Sequence, residues 1–537
     1  MSVADIGLIG LAVMGENLIL NMAEKGFTVA CFNRTVSKVD SFIAGRAKGK
    51  TIIGCHSIEE LIATLSKPRK VMLMIKAGAP VDEYIEKILP NLGQGDIIID
   101  GGNSHFADTN RRCKYIESKG KLFIGTGISG GEEGALKGPS IMPGGSPNAW
   151  EQVKPILQKI AAKTDDGKPC CEWVGENGAG HFVKMVHNAI EYGNMQLICE
   201  AYHLMKQSLG LTNQQMSDCF AQWSRGQLNS YLLEITRDIL KFKDPQGNET
   251  IDLILDSAGQ KGTGKWTVIE GLNLGQPLTL AGEAVFGRYL SAMKTRRAEA
   301  AKILKGPQAA LNGDKEKMLE DLSKALYAGQ IVSYAQGFEL MQAASTQYGW
   351  RLDCAGIAQI WQAGCIIRAA ILTRIKQAFD SEPALMNLLL APFFAEAMGE
   401  TQLPLRRIVA SAVKAGIPIP VLGCALSFYD GYRCDRLPAN LLQAQRDYFG
   451  SHTYQRIDKP ASALPCFHEF DPPRLWECRF RRGYKIRGST RVRADCKVHL
   501  LQQRPKLDHH HVLGRHLMPN QLRGYKLQPT SHPVLKG

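Results

Sequence analysis

Apolar positions along the chain change period twice, and the changes mark out its organisation. Near the N-terminus two short apolar runs, Asp5-Ile6-Gly7-Leu8-Ile9 and Thr28-Val29-Ala30-Cys31-Phe32, flank a helix-like stretch that ends at about Lys25. Such runs, bounded by glycine and polar residues, read as buried strands, so the start of the chain predicts β-α-β. Val71-Met72-Leu73-Met74-Ile75, Ile97-Ile98-Ile99-Asp100 and Leu122-Phe123-Ile124 predict more strands. From Gly180 to about Gly431 strand alternation all but vanishes, and helices are predicted at 283–304, 315–347 and 355–379. A proline-free run from 181 to about 209 repeats Val183, Val186, Ile190, Leu197, Ala201 and Leu204 at helical spacing. The expected fold class is α/β plus all-α: a Rossmann-type dinucleotide-binding domain at 1–178, then a large all-helical domain at 179–434.

The first strand runs into Gly10-Leu11-Ala12-Val13-Met14-Gly15, a G-x-A-x-x-G variant of the dinucleotide fingerprint. Gly10 permits the turn, small Ala12 lets backbone approach a pyrophosphate, and Gly15 allows close helix–strand packing. The helix start then offers free N–H groups to the phosphates. After the second strand, where an NAD-binding domain places an acid, stands Asn33-Arg34-Thr35. An arginine there supplies charge-assisted donors to a 2′-phosphate, which predicts NADP. The later strands end in Lys76-Ala77-Gly78, Gly101-Gly102-Asn103-Ser104 and Gly127-Ile128-Ser129-Gly130-Gly131. Ligands bind beyond the carboxyl ends of such strands, so the three loops point to one crevice. Ser129-Gly130-Gly131, with a hydroxyl and successive N–H groups, suits a carboxylate.

Within the 181–209 run, Lys184, His187, Asn188 and Glu191 fall at i, i+3, i+4 and i+7, on one helical face. A base, an acid and two hydrogen-bonding side chains are thereby held together, as proton transfer requires. The same spacing describes a solvent-facing Lys–Glu stripe, and the offsets do not choose between the two. Further on, Asp256-Ser257-Ala258-Gly259-Gln260-Lys261-Gly262-Thr263-Gly264-Lys265-Trp266 is a glycine- and lysine-rich loop suited to an anion, and equally to a flexible surface loop. Arg288 lies on the helix that follows.

Composition narrows the classes. With 537 residues, 44% hydrophobic and 22% charged, the chain has room for two or three domains with proper cores. Fourteen cysteines without a C-x-x-C pair predict reduced thiols and a cytoplasmic setting, with no disulfide framework and no metal site. The N-terminus shows neither a basic leader nor an apolar signal core, and no stretch approaches a membrane span. The net charge of +14 is uneven: residues 461–537 hold 15 Lys and Arg against 5 Asp and Glu, so most of the basicity sits there. The nearly balanced remainder gives no reason to expect nucleic acid.

Taken together, the fingerprint, Asn33-Arg34-Thr35, Ile98-Ile99-Asp100-Gly101-Gly102-Asn103-Ser104, Ser129-Gly130-Gly131-Glu132-Glu133-Gly134, Lys184-Met185-Val186-His187-Asn188-Ala189-Ile190-Glu191-Tyr192, the 256–266 loop and Gln445-Arg446-Asp447-Tyr448-Phe449-Gly450 resemble the decarboxylating NADP-dependent 6-phosphogluconate dehydrogenases, from about residue 3 to 460. The resemblance implies oxidation of 6-phosphogluconate at C3, loss of CO2 and protonation of an enediol to ribulose 5-phosphate, a step of the pentose phosphate pathway and of gluconate utilization. It makes Lys184 the general base and Glu191 the acid that protonates C1 of the enediol. It places Asn103, Ser129, Gly130, Gly131, His187 and Asn188 around the substrate carboxylate and hydroxyls, and Tyr192, Lys261 and Arg288 on the phosphate. The cofactor residues it implies are Gly10, Leu11, Ala12, Val13, Met14, Gly15, Asn33, Arg34, Thr35, Ile75, Lys76, Ala77 and Asn103. Arg446 and His452, on a family-like tail at 435–460, would reach a partner subunit, which makes the active site a property of a homodimer.

The resemblance stops after Asp458-Lys459-Pro460. A short family tail that lies against the other subunit is replaced by residues 461–537, rich in Arg and Pro and holding seven of the thirteen histidines. These residues read as a divergent, disordered extension; a nucleic-acid tether and a His/Cys metal tract are weaker readings. Two whole-chain alternatives compete. One is a related β-hydroxyacid dehydrogenase acting on an unphosphorylated acid, with no use for Lys261, Arg288 and Arg446. The other is an inactive homologue with a basic binding tail.

Overall fold

The computed structural model describes residues 3–307 and 314–459. The chain divides into two compact units, Met1–Leu437 and Pro438–Gly537. The first holds a seven-stranded sheet: β1 (Ile6–Ile9), β2 (Val29–Phe32), β3 (Ile52–Gly54), β4 (Lys70–Leu73), β5 (Ile97–Asp100), β6 (Leu122–Ser129) and β7 (Ser140–Gly145). Its order is β3-β2-β1-β4-β5-β6-β7, parallel throughout except for β7, which runs antiparallel to β6. Alternate residues feed two cores: Ile97 and Ile99 face one, Ile98 the other. Burial on both faces explains why these strands read as unbroken apolar runs.

Past β7 the described residues of this unit form no further named strand. The helix expected at 181–209 runs Ala179–Gln207, and the one expected at 315–347 runs Lys315–Tyr348. The second is bounded by local chemistry. The Asp314 side chain accepts from the Glu316 and Lys317 N–H groups, and Gly349 ends it in the left-handed region at φ 68°. Val183, Val186, Ile190, Leu197, Ala201 and Leu204 are all buried. The two long helices meet through glycine: a Cβ on Gly329 would stand 2.6 Å from Leu197, and one on Gly337 would stand 2.6 Å from Ile190.

Three expectations about elements are corrected, and two strands, β3 and β7, had no counterpart among them. The strand expected at 122–124 continues to Ser129, and β7 pairs with it. Gly125-Thr126-Gly127 hides the extension because glycine carries no apolar signal. Glycine is required there because the long helix lies against the strand. A Cβ on Gly127 would overlap the Lys184 Cβ and stand 2.7 Å from its Cγ, and one on Gly125 would stand 2.9 Å from the His181 ring. The helix expected at 283–304 is two, Thr279–Ala292 and Lys294–Ile303, broken at Met293. The one expected at 355–379 is also two, Cys354–Ile360 and Ile371–Ser381. Between them, backbone groups bond elsewhere: Gly364 O accepts from Ser140 N (2.7 Å), and Ile367 O accepts from the Tyr334 hydroxyl (2.8 Å).

Glu200, near the end of the long helix, is buried and accepts from the Val421 and Leu422 N–H groups, both at 2.9 Å, at the start of the helix Pro420–Tyr432. Burial lifts its carboxyl from 4.5 to about 7, against the pull of those two bonds. The folded state then binds more protons than the unfolded one between these values, so stability falls as pH rises through that window. Thermal unfolding from about pH 4 to about pH 8 should show Glu200→Gln losing a slope worth at most about 3 kcal/mol.

The second unit, as far as it is described, contains the helix Ala439–Gly450 and the segment to residue 459. Buried Asp447 closes the helix end by accepting from Thr453 N (2.6 Å). The extension expected at 461–537 lies outside the described residues, as do the tether and metal readings attached to it.

Candidate active site

The long helix carries Lys184, His187, Asn188 and Glu191 on one face, and that face is covered. Lys184 is 6% exposed and His187 0%. The solvent-facing stripe is thereby excluded. Lys184 Nζ donates to Asn188 Oδ1 (2.6 Å) and lies 3.2 Å from His187 Nδ1. His187 Nε2 is 3.1 Å from Ser129 Oγ, and Asn188 Nδ2 donates to Thr263 Oγ1 (3.0 Å).

Burial sets the charges. It lowers the Lys184 ammonium below its ordinary range, against the opposing pull of Glu191. It raises the Glu191 carboxyl, with Lys184 and Arg288 opposing. Burial and then Lys184 hold His187 well below its ordinary value. His187 is therefore neutral, and its 3.8 Å approach to Glu191 is a polar contact, not an ion pair. A lysine made less basic and a carboxylic acid made weaker, on one face of one helix, are poised for proton removal and proton delivery.

Strand β6 joins this face to a cleft of about 670 Å³ at the carboxyl edge of the sheet. Ile128 lines the cleft, while Gly127 touches Lys184 and Ser129 bonds His187. Gly10, Leu11, Ala12, Val13, Met14, Gly15, Asn33, Arg34, Ile75, Lys76 and Asn103 also line it. Thr35 and Ala77 each sit one residue outside that lining; the Thr35 carbonyl accepts from Asn33 Nδ2 (3.1 Å). Gly10 has φ 113°, and a Cβ on it would overlap the Met74 carbonyl oxygen. The helix Val13–Glu24 begins without a side-chain cap, which leaves its first N–H groups for an anion. No acid stands at the end of β2, and Arg34 is joined in the lining by Lys38. These donors fit a dinucleotide with a 2′-phosphate. Sequence reasoning missed Lys38, although its place four residues after Arg34 was a signal; Met74, Pro80 and Tyr84 carried none.

On the other side of the catalytic face, the Arg288 guanidinium lies 3.4 Å from the centroid of the Tyr192 ring. Its Nη1 donates to Gly259 O (3.1 Å), which ties the helix Thr279–Ala292 to the 256–266 loop. Lys261 stands exposed on that loop, two residues before Thr263, the partner of Asn188. A Cβ on Gly264 would stand 2.7 Å from the Tyr192 ring, so only glycine admits this approach. Asn188, Tyr192, Lys261 and Arg288 are thus carried on elements that meet. Gly130 and Gly131 have φ 134° and 63°, and a Cβ on Gly130 would stand 2.6 Å from Gly364 O. Ile366 N donates to Ser129 Oγ (3.4 Å). Thr263 and Ile366 are polar partners that no spacing revealed. Arg446 and His452 are exposed in the second unit, where Arg446 Nη1 donates to Gln443 Oε1 (3.1 Å).

Comparison with known proteins agrees with this geometry. Residues 5–175 match the family model described as the NAD binding domain of 6-phosphogluconate dehydrogenase, and residues 180–468 match that described as the 6-phosphogluconate dehydrogenase C-terminal domain. The chain is 58% identical over 465 residues to a Homo sapiens protein named 6-phosphogluconate dehydrogenase, decarboxylating, across 86% of this chain and 96% of the relative. A Saccharomyces cerevisiae protein of the same name, numbered 1, is 59% identical over 461 residues, across 86% and 94%. The Plasmodium falciparum 6-phosphogluconate dehydrogenase, solved in its apo form and in complex with NADP+ and with 6-phosphogluconate, superimposes with a TM-score of 0.83 at 44% identity, across 86% of this chain and 99% of that one.

Proposed function

This chain belongs to the 6-phosphogluconate dehydrogenase family, and from that premise we propose that it converts 6-phosphogluconate and NADP into ribulose 5-phosphate, CO2 and NADPH. The observation that carries the reading is β6, which places Ile128 in the dinucleotide cleft and the preceding Gly127 against buried Lys184. Bound in that cleft, NADP supplies one thing, a hydride acceptor.

Neutral Lys184 takes the proton of the C3 hydroxyl while the C3 hydrogen leaves with its electron pair, and C3 becomes a ketone. The ammonium so formed, held by Asn188, polarises that ketone. The C1–C2 bond then breaks and CO2 departs; the electron pair it leaves forms the C2=C3 bond, the C3 oxygen takes the proton back from Lys184, and the enediol results. Glu191, its carboxyl raised by burial, delivers a proton to the carbon that becomes C1 of the product. Neutral His187 and Ser129 orient hydroxyls, Gly130, Gly131 and Asn103 receive the carboxylate end, and Tyr192, Lys261 and Arg288 hold the phosphate.

NADP reduction with 6-phosphogluconate tests the whole reading, compared between the full chain and one ending at Pro460; no NADPH from either sinks it. The phosphate assignment is tested separately. Arg288→Ala and Lys261→Ala should each raise KM for 6-phosphogluconate at least about tenfold, because each removes a charge-assisted bond to the phosphate. An unchanged KM would return the enzyme to the unphosphorylated-acid reading.

We further assign a homodimer in which Arg446 and His452 complete the partner's site. Its support is the apolar surface on successive helices, where Leu272, Phe286, Leu290, Ile303 and Leu304 are all more than half exposed. A fully active monomer in sedimentation would refute it. The described cysteines are all free thiols, which favours a reducing, cytoplasmic setting, and the proposed reaction belongs to the pentose phosphate pathway.

A further inference from the structure

Arg112, on the helix Phe106–Glu117, is 1% exposed and carries a buried charge. Its guanidinium uses all five N–H groups. Nε and Nη2 donate to the two Asp82 carboxylate oxygens at 2.9 and 3.0 Å, and Nη2 also donates to Gly78 O (3.0 Å). Nη1 reaches Ser104 Oγ (3.4 Å) and Asp100 Oδ2 (3.5 Å). Asp100, itself 0% exposed, accepts from Ser104 Oγ (2.6 Å) and from Gly102 N (3.0 Å).

The acceptors belong to two groups. Gly78 and Asp82 end the loop after β4 and begin the helix Ala79–Ile88; Asp100 is the last residue of β5, and Gly102 and Ser104 lie in the loop after it. Those two loops contribute Ile75, Lys76, Gly102 and Asn103 to the cofactor cleft. Arg34, after β2, marks the 2′-phosphate end, so a dinucleotide crossing the sheet from β2 over β1 places its nicotinamide half at β4 and β5. The helix Ala79–Ile88 is anchored independently by buried Val81, Ile85 and Ile88. Arg111, on the same helix, also donates to both Asp82 oxygens (2.9 and 3.0 Å), and the Arg112 guanidinium adds bonds to both polar loops.

We propose that Arg112 is a positioning residue for the nicotinamide half of the cofactor: it clamps the β4 and β5 loops at the separation that hydride transfer to NADP requires. The proposal rests on the NADP-dependent reading of this cleft. A planar fork with five donors fits this role, and a lysine, with three donors at one point, does not.

The test uses the full chain and three ligands. NADPH binding is read by fluorescence, binding of 2′,5′-ADP (the adenosine half alone) by competition, and turnover by NADP reduction. Arg112→Gln should weaken NADPH at least about tenfold and lower kcat, while 2′,5′-ADP binds within about twofold of the unaltered chain. Ser104→Ala keeps the fold and removes one contact of the clamp; it should weaken NADPH about two- to fivefold with the same sparing of 2′,5′-ADP. If Arg112→Gln does not fold, the Ser104→Ala result decides. Equal weakening of both ligands, or of neither, overturns the proposal. Wild-type protein that binds NADPH but does not turn over 6-phosphogluconate defeats the functional reading and leaves the binding comparison intact.

Discussion

Lys184→Met should lower kcat for 6-phosphogluconate oxidation by roughly 10³-fold or more while the protein stays folded. General base catalysis contributes about 10²- to 10⁴-fold, and the proposed mechanism uses this amine twice, as base and then as the ammonium that polarises the ketone. Methionine keeps the apolar stem that lies along Gly127 and removes only the charge-bearing end. The pH profile gives the sharper readout. In the proposed mechanism activity needs Lys184 neutral, so it rises with pH through a lysine pKa that burial has moved below the ordinary range. It also needs Glu191 protonated, so it falls as pH rises through a carboxyl pKa that burial has moved up. The two limbs belong to the pair, because the groups sense each other. Lys184→Met should abolish the rising limb and keep residual NADP binding. A variant with ordinary kcat and both limbs intact would remove Lys184 from the chemistry.

Gly127→Ala is expected to be nearly as damaging, although it adds one methyl group and no charge. That methyl would overlap the Lys184 Cβ, and both atoms are fixed to backbone, one to a strand in mid-sheet and one to a buried helix. Relief requires the strand and helix to separate. Overpacking of this kind costs about 1–3 kcal/mol of stability, and a shift of about 1 Å at the reacting groups costs about 10²-fold in rate. The expected result is kcat down about 10²-fold together with a lowered Tm. Gly399→Ala is the contrast: it lies mid-helix in Pro392–Ala415, and a Cβ there meets nothing within 4 Å. It should leave kcat alone and gain up to about 1 kcal/mol from helix propensity. Unchanged kcat in Gly127→Ala would mean that the helix does not depend on that close approach for its placement.

The chain's own order of residues settled everything that depends on local geometry. Gly10, Ala12 and Gly15 announce the turn because a strand, a tight turn and a helix start are built from neighbouring residues. Arg34 predicts a 2′-phosphate because it stands just past β2, where an NAD-binding domain places an acid. Lys184, His187, Asn188 and Glu191 share a face because 3.6 residues make a turn, and the helix Lys315–Tyr348 is bounded by the bonds of Asp314 to its first turn and the left-handed Gly349 at its end. Tertiary structure decided what such patterns cannot carry. The same four offsets describe a wet stripe or a buried site; β6, β7 and the irregular stretch at 361–370, all distant in the chain, made it the second. Burial by those elements, not residue type, moved Lys184 and Glu191 from their ordinary pKa values toward the acid–base roles. The clamp of Arg112 was invisible for the same reason, since its acceptors stand 8 to 34 residues away. β6 itself was cut short in the sequence reading because the glycines that let a helix lie against a strand erase the apolar alternation by which strands are recognised.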